Sequence, residues 1–340
     1  MPSPLKTLIA HYLPAIEAEL QDLLAFIGSP YDEYYHMLHY HMGWLDIQLR
    51  PTEGRAGKRI RPVICLLACQ AAGGDWERAL PVAAGIETLH NFSLLHDDIE
   101  DNSDSRRGRP TVWKLWGSPQ AINAGDGMFA LAHLAFARLT ERGVPAAQAF
   151  AALNVFDQTC LALTHGQHLD MRFEKRMDVT VEDYVAMIGG KTAALLATST
   201  YLGAFIGNGQ DAEQYRTFGH HLGIAFQVQD DILGIWGDQS IIGKSTLSDI
   251  ETRKKTLPVV YGLGKSEALR QLYAADTPVT PEQVAWVAQT LSELGARQMA
   301  EAQAAEHHRK AMDALKQSGA AGEAGQALRE LATSLLKRTH

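Results

Sequence analysis

Apolar residues recur three and four positions apart in nearly every long segment of the chain, and no stretch shows the two-residue alternation of a half-buried strand. These segments are rich in Ala, Leu, Glu and Gln, which favour helical backbone. The pattern predicts an all-α protein. Breaks are predicted where Gly, Pro and Asp cluster: 54–62 (GRAGKRIRP), 71–75 (AAGGD), 106–110 (RRGRP), 142–145 (RGVP), 206–211 (IGNGQD) and the stretch from Gly234 to Pro258. That last stretch is dense in Lys and Asp, and loops of such length are often functional. No Ser/Gly linker or low-complexity stretch divides the chain, so one helical domain over 1–340 is expected, with 281–340 as packing or surface helices.

Composition narrows the function. With 46% hydrophobic and 21% charged residues over 340 positions, the chain can bury a large core and lacks the signature of disorder. A net charge of −8 argues against nucleic acid as a partner, because non-specific binding needs Lys and Arg to neutralise phosphates. Any anion site must be local. The N-terminal segment interrupts its apolar residues with His, Glu, Gln and Asp, unlike a secretory signal, and no later segment reaches the ~18 uninterrupted apolar residues of a membrane helix. Cys65, Cys69 and Cys160 read as buried free thiols in a reducing compartment. A cytoplasmic protein without membrane insertion is expected.

The chemistry lies in acidic and basic clusters. In LLHDDIED, Asp97 and Asp101 stand four apart on a predicted helix, which puts their Cβ atoms about 5–6 Å apart on one face. A second pair, Asp230-Asp231, ends the apolar run FQVQDD. Carboxylates are hard ligands suited to Mg²⁺, and two such clusters would repel on meeting without a cation. Either cluster alone reads equally well as a solvated helix end. The basic residues change the balance. Lys58, Arg59 and Arg61 precede an apolar helix, Arg106 and Arg107 follow the first acidic motif, Lys191 and Thr192 follow a Gly-Gly pair, and Lys244, Lys254 and Lys255 lie beyond the second acidic motif. Arginine forks suit phosphate, and Mg²⁺ is commonly held by one or two carboxylates together with substrate phosphates. No GxxxxGK[ST] loop is present, which argues against a P-loop nucleotidase. Two polyphosphate groups with Mg²⁺ in an apolar all-α setting point to a greasy diphosphate.

The blocks GKRIRP (57–62), HNFSLLHDDIEDNSDSRRGRPT (90–111), GQHLD (166–170), GGKTAAL (189–195), FQVQDDILG (226–234) and GKSTLSDIETRKKTLP (243–258) together resemble the trans-isoprenyl diphosphate synthase (polyprenyl synthetase) family, in its order. The resemblance implies a helical bundle around a central apolar cavity, a homodimer, and condensation of isopentenyl diphosphate with an allylic diphosphate. It implies that Lys58, Arg61, His90 and Arg107 hold isopentenyl diphosphate, while Arg106, Lys191, Thr192, Gln227, Lys244 and Lys254 hold the allylic diphosphate. Asp97 and Asp101 would bind two Mg²⁺ ions and Asp230 a third; with Lys191 they form the implied catalytic set. Helix geometry adds independently that His90, seven residues before Asp97, lies only about 20° from it around the helix.

One position departs from the family pattern. The second motif normally reads DDxxD, but Gly234 stands in its last place, with Asp238 the substitute should the chain bend there. Further implied are ionisation of the allylic C–O bond, attack by the isopentenyl double bond and loss of a proton to the departing diphosphate, with the segment 235–258 as a lid excluding water. Phe92 and Ser93, fifth and fourth before Asp97, resemble the pattern of enzymes that stop at C20, with C15 next; plain core packing is the other reading of Phe92. A class I terpene cyclase shares the acidic motifs but has no use for an isopentenyl site. A non-catalytic partner subunit would be expected to lose more of the motifs than one Asp.

Overall fold

The computed structural model describes residues 3–52, 57–209, 212–237 and 248–336. Helix α4 (Leu80–Glu100) organises the first half of the chain. Every residue from Leu80 to Leu89 is buried, so this part of the helix is covered around its whole circumference. Against it pack α1 (Pro4–Leu23), α3 (Ile60–Ala71) and α6 (Ser118–Ala137). Tyr12, Ile16 and Leu20 form the buried stripe of α1, and Val63 through Cys69 of α3 are all inaccessible. The polar end of α4 emerges from this core and carries Asp97 and Asp101, with Asp101 still helical as the C-cap.

Two compact units follow from the contacts. The first comprises 1–157, 199–212 and 320–328, and also holds α2 (Asp32–Met42), α5 (Val112–Trp116) and the start of α7 (Ala146–Glu174). The second comprises 158–198, 213–319 and 329–340. Its frame is α10 (Glu213–Trp236) packed on α15 (Ala296–Gln317), with α8 (Val181–Ile188), α11 (Ser248–Glu251), α12 (Leu257–Leu263), α13 (Glu267–Ala274) and α14 (Pro281–Glu293) around it. Tyr184, Met187, Ile224, Val228, Ile232 and Leu257 fill one part of its core, and Ile235, Ile250, Val259, Val287 and Leu291 the other. Side chains at helix starts satisfy orphaned amides: Thr180 with Asp183 at α8, and Thr280 with Gln283 at α14, form reciprocal capping boxes.

The expectation of an all-α chain holds, with three local corrections. RRGRP is a hairpin: β1 (Ser105–Arg106) pairs antiparallel with β2 (Arg109–Pro110), and Arg107 and Gly108 at its tip both take left-handed φ, 53° and 71°. The GGKT segment is a π-helical turn, Gly189–Ala193, that joins α8 to α9 (Ala194–Asn208), a local widening often found at functional sites. The break expected at Gly234 lies further on, because α10 continues to Trp236. Within the expected lid, α11 and the start of α12 are helical, while Asp238 and Lys244 lie outside the described residues. The three cysteines are free and buried, and among the described residues no helix is long and apolar enough to cross a membrane.

Candidate active site

The first unit gathers Lys58, Arg61, His90, Arg106 and Arg107 around the polar end of α4. Arg61 Nη1 lies 3.2 Å from His90 Nε2. The hairpin tip brings Arg107 against the backbone ahead of α3, where a Cβ added to Gly57 would lie 2.7 Å from its Nη2. Arg107 makes no hydrogen bond or ion pair among the described residues, and burial pushes its guanidinium below the usual value. Arg106, by contrast, is neutralised by the buried carboxylate of Asp98 at 2.8 Å. Lys58 is exposed at the rim.

Two histidines in this cluster are held neutral. Burial, then the guanidiniums of Arg61, Arg107 and Arg106, push His90 well down. Burial, with Arg106 and Arg107 next, lowers His41 to about 3. His41, on α2, bonds the Asn91 backbone through one ring nitrogen and leaves Nε2 buried without a hydrogen bond. It lines a cleft of about 330 Å³ with Arg106, Arg107 and Arg109. The sequence reading passed over His41, which has no motif around it. It also left Arg59 without a role. Arg59 is 2% exposed and bonds Glu17 at 2.7 Å and Glu87 at 2.9 Å, so it is a core ion pair.

Below the acidic motif, Phe92 packs on His96 and on Phe129 of α6, with ring centroids 4.8 and 5.1 Å away. The aromatic column continues through His133 to Phe156. Ser93 donates to the His90 carbonyl at 2.9 Å.

The second unit builds a separate cleft of about 310 Å³, lined by Asp170, Lys191, Thr192, Gln227, Lys254 and Lys255 among others. Lys191 pairs with Asp170 of the GQHLD block, and Thr192 donates to Gln227 Oε1 at 2.9 Å. Gln227 Nε2 in turn donates to Asp231 at 3.1 Å. Asp231 is the buried hub of this network, and it also accepts from the Tyr184 hydroxyl at 2.5 Å and the Leu257 amide at 3.1 Å. Burial raises its carboxyl to about 7. Asp230, one residue earlier on α10, is half-buried rather than enclosed.

Lys255, one residue after Lys254, is 8% exposed, and its ammonium donates to the carbonyls of Phe173 at 2.6 Å, Glu174 at 2.9 Å and Arg176. It thereby ties the segment carrying Lys254 to the end of α7, where a cation suits the exposed carbonyls. Sequence type alone gave no means of separating it from Lys254. Among the described residues no three His, Cys, Asp or Glu side chains converge as a ready-made metal cage. The donor set nonetheless fits Mg²⁺, which favours one or two carboxylates completed by phosphate oxygens and water.

The polyprenyl synthetase family model matches residues 44–292. A (2E,6E)-farnesyl diphosphate synthase of Mycobacterium tuberculosis is 37% identical over 311 residues, covering 89% of this chain and 85% of that protein. A geranylgeranyl diphosphate synthase of the same organism is 43% identical over 254 residues, 73% of this chain and 71% of the other. Among solved structures, a polyprenyl synthetase from Streptomyces coelicolor A3(2) is similar with a TM-score of 0.86 at 35% identity, covering 98% of this chain and 97% of that one. These matches run through both acidic motifs and the blocks between them, so the chain belongs to the polyprenyl synthetase family and is a trans-prenyltransferase of its all-α fold.

Proposed function

We propose that the chain condenses isopentenyl diphosphate with C5–C15 allylic diphosphates in a Mg²⁺-dependent reaction, giving a short all-trans prenyl diphosphate, C20 first and C15 next. The observation that carries this reading is that each unit builds its own cation-lined cleft. A cyclase acting on one diphosphate has no need of two. In the first unit Lys58, Arg61, His90 and Arg107 would receive isopentenyl diphosphate; of these Arg107 lines the cleft and makes no hydrogen bond or ion pair among the described residues. In the second, Lys191, Thr192, Gln227 and Lys254 would hold the allylic diphosphate; the resemblance adds Arg106 and Lys244 as contacts to the same group.

Asp97, Asp101 and Asp230 would hold the metal, with three ions expected. Bound Mg²⁺ supplies charge stabilisation for the diphosphate as the allylic C–O bond breaks. Lys191, paired with Asp170, would bind the same leaving group. The diphosphate itself would accept the proton lost from the condensation product. Phe92, backed by Phe129, would form the floor on which the growing hydrocarbon stops. We further infer one domain over 1–340, a cytoplasmic location in keeping with the free thiols, and a homodimer that covers the exposed Ile122, Leu134 and Phe150.

The test is incubation with Mg²⁺, labelled isopentenyl diphosphate and, separately, C5, C10 and C15 allylic diphosphates. A C20 alcohol after dephosphorylation, with pyrophosphate released, is expected. Hydrocarbon formed from one diphosphate alone, without label, would replace the reading with a cyclase.

A further inference from the structure

His41 stands outside every sequence block that points to substrate, yet it lines the cleft of the first unit beside Arg106, Arg107 and Arg109. It belongs to the last turn of α2, and neighbouring contacts brace that turn against the hairpin. The Tyr40 hydroxyl donates to the Pro110 carbonyl at 2.8 Å. The guanidinium of Arg109 lies 3.9 Å from the centre of the Tyr40 ring and donates to the Leu45 carbonyl at 2.7 Å. The imidazole is therefore carried into the cleft on a fixed support.

Its two ring nitrogens differ. One donates to the Asn91 carbonyl on α4, whereas Nε2 is buried and makes no hydrogen bond among the described residues. With the single proton of the neutral ring committed to Asn91, Nε2 carries a lone pair. A lone pair repels a phosphate oxygen, but an added proton turns the same atom into a charge-assisted donor. Burial, then the guanidiniums of Arg106, Arg107 and Arg59, oppose that proton. Arg106 is answered by Asp98 of α4, and Arg59 by Glu17 and Glu87. His90, the other titratable group at hand, is itself driven neutral. On the side of the proton stand the C-terminal carbonyls of α2, which favour a cation in the last turn. An anion that pairs with Arg107 cancels one of the repulsions and adds an attraction of its own.

We propose that His41 is a proton-coupled binding residue of this cleft: as isopentenyl diphosphate pairs with Arg107, the His41 ring takes a proton from solvent and Nε2 donates to a diphosphate oxygen. The proposal rests on the reading of the first unit as the isopentenyl diphosphate site. It makes affinity for that substrate strengthen as pH falls, by a route that belongs to the protein and not to the ligand.

The test is calorimetric titration of the full chain with isopentenyl diphosphate at about pH 5.5 and about pH 7.5, either side of the ordinary imidazole value. Each titration is run in two buffers of different ionisation enthalpy, which counts the protons taken up. At the lower pH the wild type should take up about half a proton more than His41→Gln. Its affinity relative to that variant should rise at least about threefold from the higher pH to the lower, since affinity follows bound protons by linkage. The ligand's own titration is common to both proteins and cancels in the ratio. His41→Asn keeps a donor for the Asn91 carbonyl but lacks the second nitrogen, and should match His41→Gln. A loosened fold would lower affinity by one factor at both pH values, so the change in ratio separates binding from structure. Equal proton counts in the wild type and both variants, or a ratio that does not move with pH, overturns the proposal. Arg107→Gln distinguishes the two levels. If it leaves affinity unchanged at both pH values, the reading of the first unit fails and the proposal with it; if it weakens binding while the His41→Gln ratio stays flat, only the role of His41 fails.

Discussion

Replacing Arg59 by Met tests whether one of three adjacent basic residues is structural while its neighbours meet substrate. Arg59 and Glu87 are each 2% exposed, and their bond is 2.9 Å long; Glu17 adds a second bond of 2.7 Å from a more open position. Met fills much of the volume of the Arg stem but leaves the Glu87 carboxylate buried without its cation. Removing one partner of a buried ion pair costs about 3–5 kcal/mol. Because Arg59 is the N-cap of α3 and Glu87 lies in α4, the loss should appear in the local stability of those two helices. Hydrogen exchange read by mass spectrometry on peptides covering 60–71 and 80–92 should speed up by roughly two to three and a half powers of ten, since about 1.4 kcal/mol is tenfold. Lys58→Ala, at an exposed position one residue away, should leave exchange unchanged and raise KM for isopentenyl diphosphate instead. Exchange accelerated less than about tenfold by Arg59→Met, or equally by both variants, would refute the partition.

Lys255→Met removes the three bonds that fix the segment beside Lys254, and should raise KM for the allylic diphosphate while leaving KM for isopentenyl diphosphate unchanged. Equal changes in both constants would point to general loosening. His41 titrates at about 3 when folded and near 6.5 when unfolded, so between those values the unfolded chain binds the extra proton. Its contribution to stability is complete above about pH 6.5 and falls by about 1.4 kcal/mol per pH unit as acid is added. His41→Gln should flatten that acid limb in urea unfolding between pH 4.5 and 7, and an equally steep limb would exclude His41 as its source. Phe92→Ala and Phe129→Ala should each lengthen the product, read by chain-length analysis of the dephosphorylated alcohols; unchanged length in both would assign the pair to core packing.

The helices were legible because burial on one face imposes the same period on sequence and structure, as the stripe Tyr12, Ile16, Leu20 illustrates. Features lacking a period were not. Two-residue strands at RRGRP leave no alternation to detect, and the π turn at Gly189–Ala193 adds one residue to a helical register without changing residue type. Gly234 read as a break because glycine costs about 1 kcal/mol inside a helix. It sits inside α10, where a Cβ would meet the end of the Asp249 side chain, a proximity between positions fifteen apart that no local pattern encodes.

The same reasoning explains why the sequence could locate the basic residues but could not rank them. Arg59 is matched by Glu17 and Glu87, Arg106 by Asp98, and Arg109 by the Leu45 carbonyl and the face of Tyr40. Each is a cation whose field the protein has already answered. Arg107, on the left-handed tip of the hairpin, has no such partner among the described residues, and the histidines beside it are driven neutral instead of adding to the charge. A guanidinium that holds no hydrogen bond or ion pair among the described residues and pushes its neighbouring histidines toward the neutral form is better placed to meet an incoming diphosphate than one already paired. Affinity in this cleft is thus set less by how many basic residues the motif contains than by how many the fold leaves unanswered. On that account Arg107→Gln should cost more isopentenyl diphosphate affinity than Arg109→Gln, although both residues line one cleft. Equal losses measured by calorimetry would show that counting charges is enough.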